Sequence, residues 1–340
     1  MRIAEIAPLG RPVPPVGEGS VELLVSLLTE ELVHRGHEVT LFALPTSRTS
    51  ARLESPVQSS YADGANVWDW QIYESFQVRE AFMQWRNFDV IHCHSYHFGM
   101  LFCDMVPVPS LHSIHIEPGP DYLFLAQKTK NRHLHFCSQY QARNFSGVAQ
   151  THVIPHGLDL RASLASPGEG RGSYLAYLGR FIPGKGVNLA VKLAKQTGFP
   201  LRLAGPRNDY FSQVIEPALS PGLIDYVGEV AGKTKIDFLK NAHALIYPIL
   251  DGEPFGLVLV EAMACGTPVI ALNRGAVCEV IQHGVTGWVV ESYVELIRAI
   301  EEVGRLDRLR ISQAAQSFSH LRMVDGIEKV MLQIHGEAKR

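Results

Sequence analysis

The chain has 340 residues, 46% of them hydrophobic and 19% charged, which is ordinary for a globular protein and long enough for two domain-sized cores. Its formal net charge of −3, with both signs interleaved, gives no general electrostatic basis for binding nucleic acid or an anionic membrane. The five cysteines form no Cys-x-x-Cys pair, so a disulfide framework is not indicated and we expect a reducing compartment.

The first residues predict a strand, loop and helix in that order. Residues 1–6 read as a strand, residues 8–19 as a Pro/Gly-rich loop, and apolar residues recur at helical spacing from Val21 to Leu32. Ser20 is expected to be the N-cap of this helix. A second strand is predicted at residues 39–42, and the polar stretch 46–60 is expected to be a surface loop.

The same alternation continues through the first half. Further strands are predicted at residues 90–91, 106–111, 134–137 and 153–154, and a helix at 73–85. Successive strand–helix–strand units form a parallel, doubly wound sheet. No basic-then-apolar leader and no run of about eighteen apolar residues is apparent, so we expect a cytoplasmic protein with at most peripheral contact with the membrane.

A Ser/Gly/Pro-rich break at residues 163–173 is the predicted linker, after which the alternation restarts. The second half has strands at 174–178, 201–204, 224–227, 244–247 and 269–271 and helices at 187–195 and 255–265. The sequence therefore predicts an α/β protein of two doubly wound, Rossmann-like domains facing a deep cleft, with domain limits at 1–162 and 173–317.

Residues 251–271 carry the most informative pattern. Pro254 suits the first turn of a helix, so Glu253 is expected just before that turn, and Gly256 leaves backbone amides open to a ligand. Such a helix N-terminus binds phosphate, and Glu261 further along is suited to ribose hydroxyls. For the glutamates alone, the alternative is that both are solvated charges.

A second loop, residues 178–186, places two cations between a strand and a helix. Arg180 offers a planar fork and Lys185 a point charge, and together they are able to neutralise a diphosphate without a metal. Taken alone, the two residues also fit solvated loop charges.

The combined motifs resemble those of the retaining GT-B glycosyltransferases of family 4 (glycosyl transferases group 1) over nearly the whole chain. They include "PVPPVGEGS", "RGHEVTLFA", "FDVIHCHS", "SLHSIHIE", "VIPHGLD", "LGRFIPGKG", "DYVGEV" and "EPFGLVLVEAMACGTPVIA" followed by "GVTGWVV". Two positions depart from the family pattern, because Ser20 replaces the second of a glycine pair and His156 replaces an asparagine.

The resemblance implies a role for each matched residue. Arg180 and Lys185 would hold the donor phosphates, Glu253 would lie by the transferred sugar, Glu261 would hold the ribose, and His115 would be the acceptor-side histidine with a catalytic contribution. The remaining donor-binding positions implied are Gly17, Gly19, Glu229, Val230, Phe255, Gly256, Leu257 and Val258. The segment 318–340, with apolar residues at helical spacing, would cross back to the N-terminal domain.

Closely spaced histidines raise the question of a metal site. His92 and His94 on a strand would point to the same face, but no oxygen or thiolate partner at ligand spacing is evident, so we expect no metal. His92 and His94 are interpreted as structural or acceptor-lining residues.

The sequence thus predicts a metal- and cofactor-independent hexosyltransferase. UDP-glucose is the first choice of donor, with N-acetylglucosamine or GDP-mannose behind, and a glycan, lipid-linked or small-molecule hydroxyl is the acceptor, in polysaccharide or glycolipid synthesis. The alternatives are an epimerase or phosphorylase of the same architecture and a catalytically silent nucleotide-sugar-binding protein. No G-x-S-x-G, P-loop or G-x-G-x-x-G motif supports hydrolase, kinase or dehydrogenase chemistry.

Overall fold

A computed structural model describes residues 1–61, 69–131, 133–148, 150–164 and 172–339. The strands are β1 (Arg2–Ile6), β2 (Glu38–Phe42), β3 (Arg52–Glu54), β4 (Val90–Cys93), β5 (Ser110–Ile114), β6 (His133–Phe136), β7 (Gln150–Val153), β8 (Leu175–Leu178), β9 (Leu201–Ala204), β10 (Ile224–Gly228), β11 (Ala244–Tyr247), β12 (Val269–Leu272) and β13 (Gly287–Val290).

The α-helices are α1 (Ser20–His34), α2 (Trp70–Met83), α3 (Phe98–Phe102), α4 (Pro120–Lys128), α5 (Gln139–Ala142), α6 (Arg161–Leu164), α7 (Val187–Thr197), α8 (Gly232–Lys240), α9 (Leu257–Ala264), α10 (Val277–Val280), α11 (Tyr293–Val303), α12 (Arg308–Ala315) and α13 (His320–Ala338). Short 3-10 helices lie at Trp85–Asn87, Cys103–Met105, Pro183–Lys185, Glu216–Ala218 and Gln316–Phe318, and a π-helical turn lies at Phe211–Ile215. None of the helices among the described residues combines the length and apolar character needed to cross a bilayer.

The chain divides into two compact units. The N-terminal unit comprises residues 1–158 and 320–340, and the C-terminal unit comprises residues 159–319. The sequence-based limits were 162 and 317, and most of the expected linker, 163–173, lies outside the described residues. The last helix, α13, belongs to the N-terminal unit.

Each unit contains one parallel sheet with the strand order of a doubly wound fold. The order is β3-β2-β1-β4-β5-β6-β7 in the N-terminal unit and β10-β9-β8-β11-β12-β13 in the C-terminal unit. In both sheets the chain builds outward from the first strand and then returns to its other side. This reversal creates a switch point between β1 and β4 and another between β8 and β11, where ligands bind in open parallel sheets.

Two elements of the N-terminal sheet differ from the sequence-based prediction. The stretch 46–60 is not only a loop, because β3 pairs in parallel with β2 at the sheet edge. The strand predicted at 106–111 instead begins at Ser110, since Pro107 and Pro109 lack the N–H groups that a ladder requires.

Two helix starts also differ. Gly19, not Ser20, is the N-cap of α1, and its φ of 142° explains why glycine is needed there. Helix α2 begins at Trp70, three residues before the predicted start, because the Asp69 side chain accepts a hydrogen bond from the backbone N–H of Gln71 at 2.9 Å. The neighbouring Trp68 lies outside the described residues.

Helix α13 is fixed to α1 by a charged network and by apolar packing. Arg35 donates to Glu328 at 2.6 Å and to Asp325 at 2.8 Å, and His37 lies 2.6 Å from Glu328. The apolar face of α13 is buried at the positions that helical spacing predicts, Met323, Ile327, Val330 and Ile334.

Candidate functional site

The loops that follow β8 and β11 lie against each other at the switch point of the C-terminal sheet. The backbone N–H of Leu250 donates to the carbonyl of Gly184 at 2.9 Å. Gly186 has a φ of +69°, and a Cβ there would lie 1.8 Å from the carbonyl oxygen of Pro248. Only glycine permits both this backbone conformation and this approach, so the Gly/Pro-rich sequence of the first loop is what brings it onto the second.

The buried ring of Phe181 anchors the first loop by packing against other aromatic rings. Phe181 is fully buried, with its ring centroid 5.0 Å from that of Phe211 and 6.0 Å from that of Tyr177. The residue before it, Arg180, has an exposed side chain. The anchor therefore buries one residue of the loop while its neighbour faces solvent.

Lys185 and Glu253 form an ion pair between the two loops. The ammonium of Lys185 donates to Oε2 of Glu253, and the hydroxyl of Tyr247, at the end of β11, donates to the same oxygen at 2.6 Å. Burial, and then the Glu253 charge, raise the pKa of Tyr247 well above its usual value, so this hydroxyl stays protonated as a donor. The side chains of Lys185 and Glu253 remain 25% and 14% exposed, which leaves the pair accessible to a ligand.

The backbone of Glu253 is fixed from the opposite side by the loop after β12. Its carbonyl accepts a hydrogen bond from the N–H of Ala276 at 2.8 Å. Gly275, with a φ of +67°, packs so tightly that a Cβ would lie 2.2 Å from the backbone nitrogen of Glu253. The carboxylate is thus presented by a rigid loop.

Helix α9 starts beside this carboxylate, but two residues later than predicted. It begins at Leu257 because Gly256 has a φ of +86° and acts as N-cap, so Pro254 and Phe255 lie in the loop and not in the first turn. A Cβ on Gly256 would lie 3.6 Å from Cγ of Glu253. The first N–H groups of a helix have no acceptor within it, and those of Leu257 and Val258 belong to this set.

Phe255 has a packing role. It is buried, and its ring lies 5.7 Å from that of Phe318 in an edge-to-face arrangement. Its ring is therefore part of the packing of this unit and not of a ligand surface.

Glu261 lies within α9 and forms a second ion pair with Lys235 of α8. The side chains are 20% and 30% exposed, respectively. Sequence reasoning selected Glu261 and missed Lys235, because a lysine on an amphipathic surface helix carries no local signal of a partner 26 residues away.

The predicted base-binding residues follow the edge strand β10. Glu229 is exposed and Val230 half-buried. Val230 lines a surface cavity of about 610 Å³ with residues that include Tyr174 and Arg202, and among the described residues lining it are neither Lys185 nor Glu253. The contacts of the described residues therefore join Lys185, Glu253 and the start of α9, but do not join Glu229 and Val230 to them.

In the N-terminal unit, the glycine-rich loop ends at α1. Gly17 and Gly19 have φ values of +83° and +142°, and a Cβ on Gly19 would lie 2.6 Å from Cβ of Pro15. The conformation requires glycine at these two positions, whereas Ser20 takes an ordinary helical one.

His115 follows β5 and hydrogen-bonds to His94, which follows β4, with 2.9 Å between His115 Nε2 and His94 Nδ1. The expectation that no oxygen partner accompanies the histidines was wrong. Oε2 of Glu5, on β1, lies 3.0 Å from Nδ1 of His92 and 3.0 Å from Nε2 of His94. Two imidazoles and a carboxylate converge here in a set that could hold a metal ion.

Both ring nitrogens of His92 and of His94, and both carboxylate oxygens of Glu5, have hydrogen-bond partners within the chain. Nε2 of His92 lies 2.7 Å from the hydroxyl of Ser113, which lies 2.7 Å from Nδ1 of His135. Sequence reasoning missed Glu5, although an acidic residue inside an otherwise apolar strand is a signal of a buried partner.

Comparison with known proteins matches both halves of the chain to family models. Residues 21–162 match the model described as Glycosyltransferase Family 4, and residues 163–318 match Glycosyl transferases group 1. An uncharacterized glycosyltransferase of Methanocaldococcus jannaschii is 25% identical over 286 residues, which cover 76% of this chain and 79% of that protein.

Solved structures show the same fold. Sucrose-phosphate synthase from Thermosynechococcus elongatus superposes with a TM-score of 0.78 at 20% identity and covers 99% of both chains. HepE of Anabaena, solved in complex with UDP and glucose, superposes with a TM-score of 0.73 at 18% identity over 98% of this chain and 100% of that one. The two parallel sheets are those of the GT-B fold, and the chain belongs to the group 1, family 4 glycosyltransferases.

Proposed function

We propose that this glycosyltransferase transfers a hexose, with retention of anomeric configuration, from a nucleotide diphosphate sugar to a hydroxyl acceptor. The observation that carries the proposal is the contact of Lys185 with Glu253 beside the start of α9. A cation, a carboxylate and unpaired helix N–H groups at one switch point match the needs of a diphosphate leaving group and of the sugar attached to it.

Each group has a separate part in the proposed reaction. Lys185 and the amides opening α9 stabilise the negative charge that develops on the departing diphosphate, and Arg180 extends from the same loop to the phosphates. The acceptor hydroxyl attacks on the face that the diphosphate leaves and gives its proton to that phosphate. Glu253 orients the donor sugar and stabilises positive charge on it, while Glu261 accepts hydrogen bonds from the ribose.

The ion pair of Lys185 and Glu253 would change partners when the donor binds. Both side chains are partly exposed, so the lysine is free to turn to a phosphate while the Tyr247 hydroxyl keeps Glu253 in place. Leaving-group stabilisation by cations of the chain requires no added metal, and we propose metal-independent transfer.

UDP-glucose is the proposed donor, and HepE, a structural neighbour, has been solved with UDP and glucose. UDP-N-acetylglucosamine and GDP-mannose are the alternatives. The proposed acceptor is a glycan, a lipid-linked sugar or a small-molecule hydroxyl in polysaccharide or glycolipid synthesis. His115 is proposed to hydrogen-bond to the bound sugar or acceptor, and the Gly17–Gly19 backbone to approach the donor.

A calorimetric titration with these three nucleotide sugars, followed by an acceptor panel, tests the proposal. We expect one donor to bind more tightly than the others, transfer to continue in the presence of a chelator, and a product whose anomeric proton coupling matches that of the donor. An inverted product would contradict retention. Abolition of transfer by the chelator would contradict metal independence.

A further inference from the structure

The strands on either side of the N-terminal switch point carry a buried polar pair on one face. Alternate residues of β1 and β4, among them Ile6 and Cys93, belong to a core cluster with Val78 of α2. The residues between them, Glu5 and His92, are register partners across the two strands and are fully buried. Because side chains alternate along a strand, this polar pair lies on the face away from the cluster.

A chain of hydrogen bonds leads from the buried carboxylate to His115. Nε2 of His94 lies 3.0 Å from Oε2 of Glu5, and Nδ1 of His94 lies 2.9 Å from Nε2 of His115. The remaining ring nitrogen of His115, Nδ1, is buried and has no hydrogen-bond partner among the described residues. Among the described residues, the side chains of Glu5 and His94 hydrogen-bond only to each other, to His92 and to His115.

The charge states of the chain determine where its protons lie. Burial opposes ionisation of Glu5, but the attraction of His92 and hydrogen bonds from His92 and His94 lower the pKa of Glu5 to about 2, so it is a carboxylate. Burial, with repulsion from His92, lowers the pKa of His94 to about 4, so this ring is neutral near pH 7. Burial likewise keeps His115 neutral, with its pKa lowered well below the usual value.

Only one arrangement of N–H groups satisfies both the Glu5–His94 contact and the His94–His115 contact. A carboxylate accepts hydrogen bonds and does not donate, so neutral His94 must donate its Nε2–H to Glu5. Its Nδ1 is then an acceptor, and His115 must donate its own Nε2–H to it. The unpartnered Nδ1 of His115 is left with a lone pair, and a buried acceptor without a donor is destabilising.

We propose that Glu5 and His94 are positioning residues that fix His115 in the tautomer protonated at Nε2, so that its Nδ1 accepts a hydrogen bond from a substrate hydroxyl. The inference rests on the proposed function for the identity of that hydroxyl. The tautomer itself can be measured without any activity. A hydroxyl that donates to Nδ1 recovers the cost of the unpartnered acceptor, and one that binds in the transition state accelerates transfer.

The first test reads the tautomer in the intact protein. Ring-nitrogen NMR shifts of histidine-labelled enzyme at pH 7.5, with the His115 signals assigned by their loss in His115→Gln, are expected to show Nε2 protonated and Nδ1 bare. A proton on Nδ1 of His115 would overturn the proposal. This result is independent of whether a donor or acceptor has been found.

The second test separates positioning from packing with two replacements of His94. Asn places its Oδ1 as many bonds from Cβ as the Nδ1 of His, so His94→Asn keeps an acceptor for the N–H of His115. His94→Phe fills the space and provides no acceptor. We expect His94→Phe to lower kcat about 10- to 100-fold with little change in the donor KM, and His94→Asn to recover much of that loss.

His92 offers a matched control. It is equally buried and also contacts Glu5, but its other ring nitrogen contacts Ser113 instead of His115. Activity corrected for folded fraction is expected to be similar in His92→Asn and His92→Phe. Equal activities of His94→Asn and His94→Phe, or a preference for Phe, would show that His94 acts by packing and would overturn the proposal.

Metal analysis of the purified protein is the third test of the proposal. One equivalent of tightly bound metal that is lost in Glu5→Gln would overturn the proposal, because a cation would take the lone pairs that the hydrogen bonds require. Absence of transfer with every donor and acceptor, together with the expected tautomer, would instead remove the proposed function and leave the arrangement of the chain standing.

Discussion

Each sheet of this protein carries a carboxylate at its switch point, but the two carboxylates have different surroundings. Glu5 lies within strand β1, is fully buried and is paired with imidazoles. Glu253 follows strand β11 in a loop, keeps 14% of its side chain exposed and is paired with a lysine. A buried charge must be satisfied within the protein, whereas a partly exposed pair is free to exchange one partner for a ligand.

In these two sheets, the position of the carboxylate relative to the strand end determines whether it is buried or presented to solvent. Within the strand, residues of the neighbouring strands are fixed partners of the carboxylate. We propose that Glu5 therefore acts indirectly, by positioning His115. After the strand, the loop presents the group to solvent, as it does for Glu253. The variants below test that contrast.

The largest effect is expected for Glu253→Gln. Loss of the charge should lower kcat about 100- to 1,000-fold while donor affinity changes little, because the interaction is proposed to strengthen only in the transition state. Steady-state kinetics with calorimetric donor titration measures both. Glu261→Gln, also a half-buried glutamate paired with a lysine, is the matched control and should lose mainly donor affinity; equal losses of kcat and affinity in Glu253→Gln would contradict its role.

The second largest effect is expected for a substitution in the loop that supports Glu253. In Gly275→Ala the new Cβ would lie 2.2 Å from the Glu253 backbone at a φ of +67°, and we expect a loss of about 3 kcal/mol in the free energy of unfolding. Gly284→Ala, at a φ of +75° with no atom within 4 Å, bears only the backbone strain and should lose about 1 kcal/mol. Denaturant unfolding distinguishes the two, and equal losses would show that contact with Glu253 is unimportant.

Acid should weaken the N-terminal unit first. Burial, followed by repulsion from neighbouring histidines, lowers the pKa of His94 to about 4 and that of His112 to about 3. The unfolded chain binds protons at these rings below about pH 6.5 and the folded one does not, so stability falls with pH and each ring costs roughly 2 kcal/mol by pH 5. The contribution of Glu5 is lost later, between about pH 4.5 and 2.

Peptide-resolved hydrogen exchange at pH 7 and pH 5 tests this predicted loss of stability of the N-terminal unit. After correction for the intrinsic exchange rates, protection should fall more in β4, which His94 follows, and in β5, which contains His112, than in β8 and β11, which contain no histidine. An equal change in both sheets would contradict the assignment. His112→Phe should reduce the pH dependence of the N-terminal unit.

A smaller effect is expected for Lys185→Met. Removal of one charged donor should weaken binding of the nucleoside diphosphate about 10-fold and reduce its salt dependence. Lys235→Met removes a lysine from the other glutamate pair and should weaken binding less, since Lys235 is not proposed to contact phosphate. Calorimetry at two salt concentrations measures the affinity of both variants for the nucleoside diphosphate. A greater loss of affinity in Lys235→Met than in Lys185→Met would contradict the proposed role of Lys185.

Most of the features that the sequence predicts correctly depend on local chemistry. The alternation of strand and helix, the glycines at positive φ and the apolar face of α13 are properties of a few consecutive residues, because turn sterics and side-chain periodicity act locally. The motifs around Lys185 and Glu253 were identified for the same reason. The predicted start of α9 is two residues too early, because Pro254 is typical of a first turn whereas the left-handed conformation of Gly256 makes the helix begin after it.

Local patterns were sufficient to predict two doubly wound units and the residues of two Gly-rich loops. The pairing of distant groups depends on the folded chain: Glu5 meets His94 across 89 residues, Lys185 meets Glu253 across 68, and Lys235 meets Glu261 across 26. Strand order, which places β1 beside β4 and β8 beside β11, arises because the whole chain packs together. No single segment carries that information.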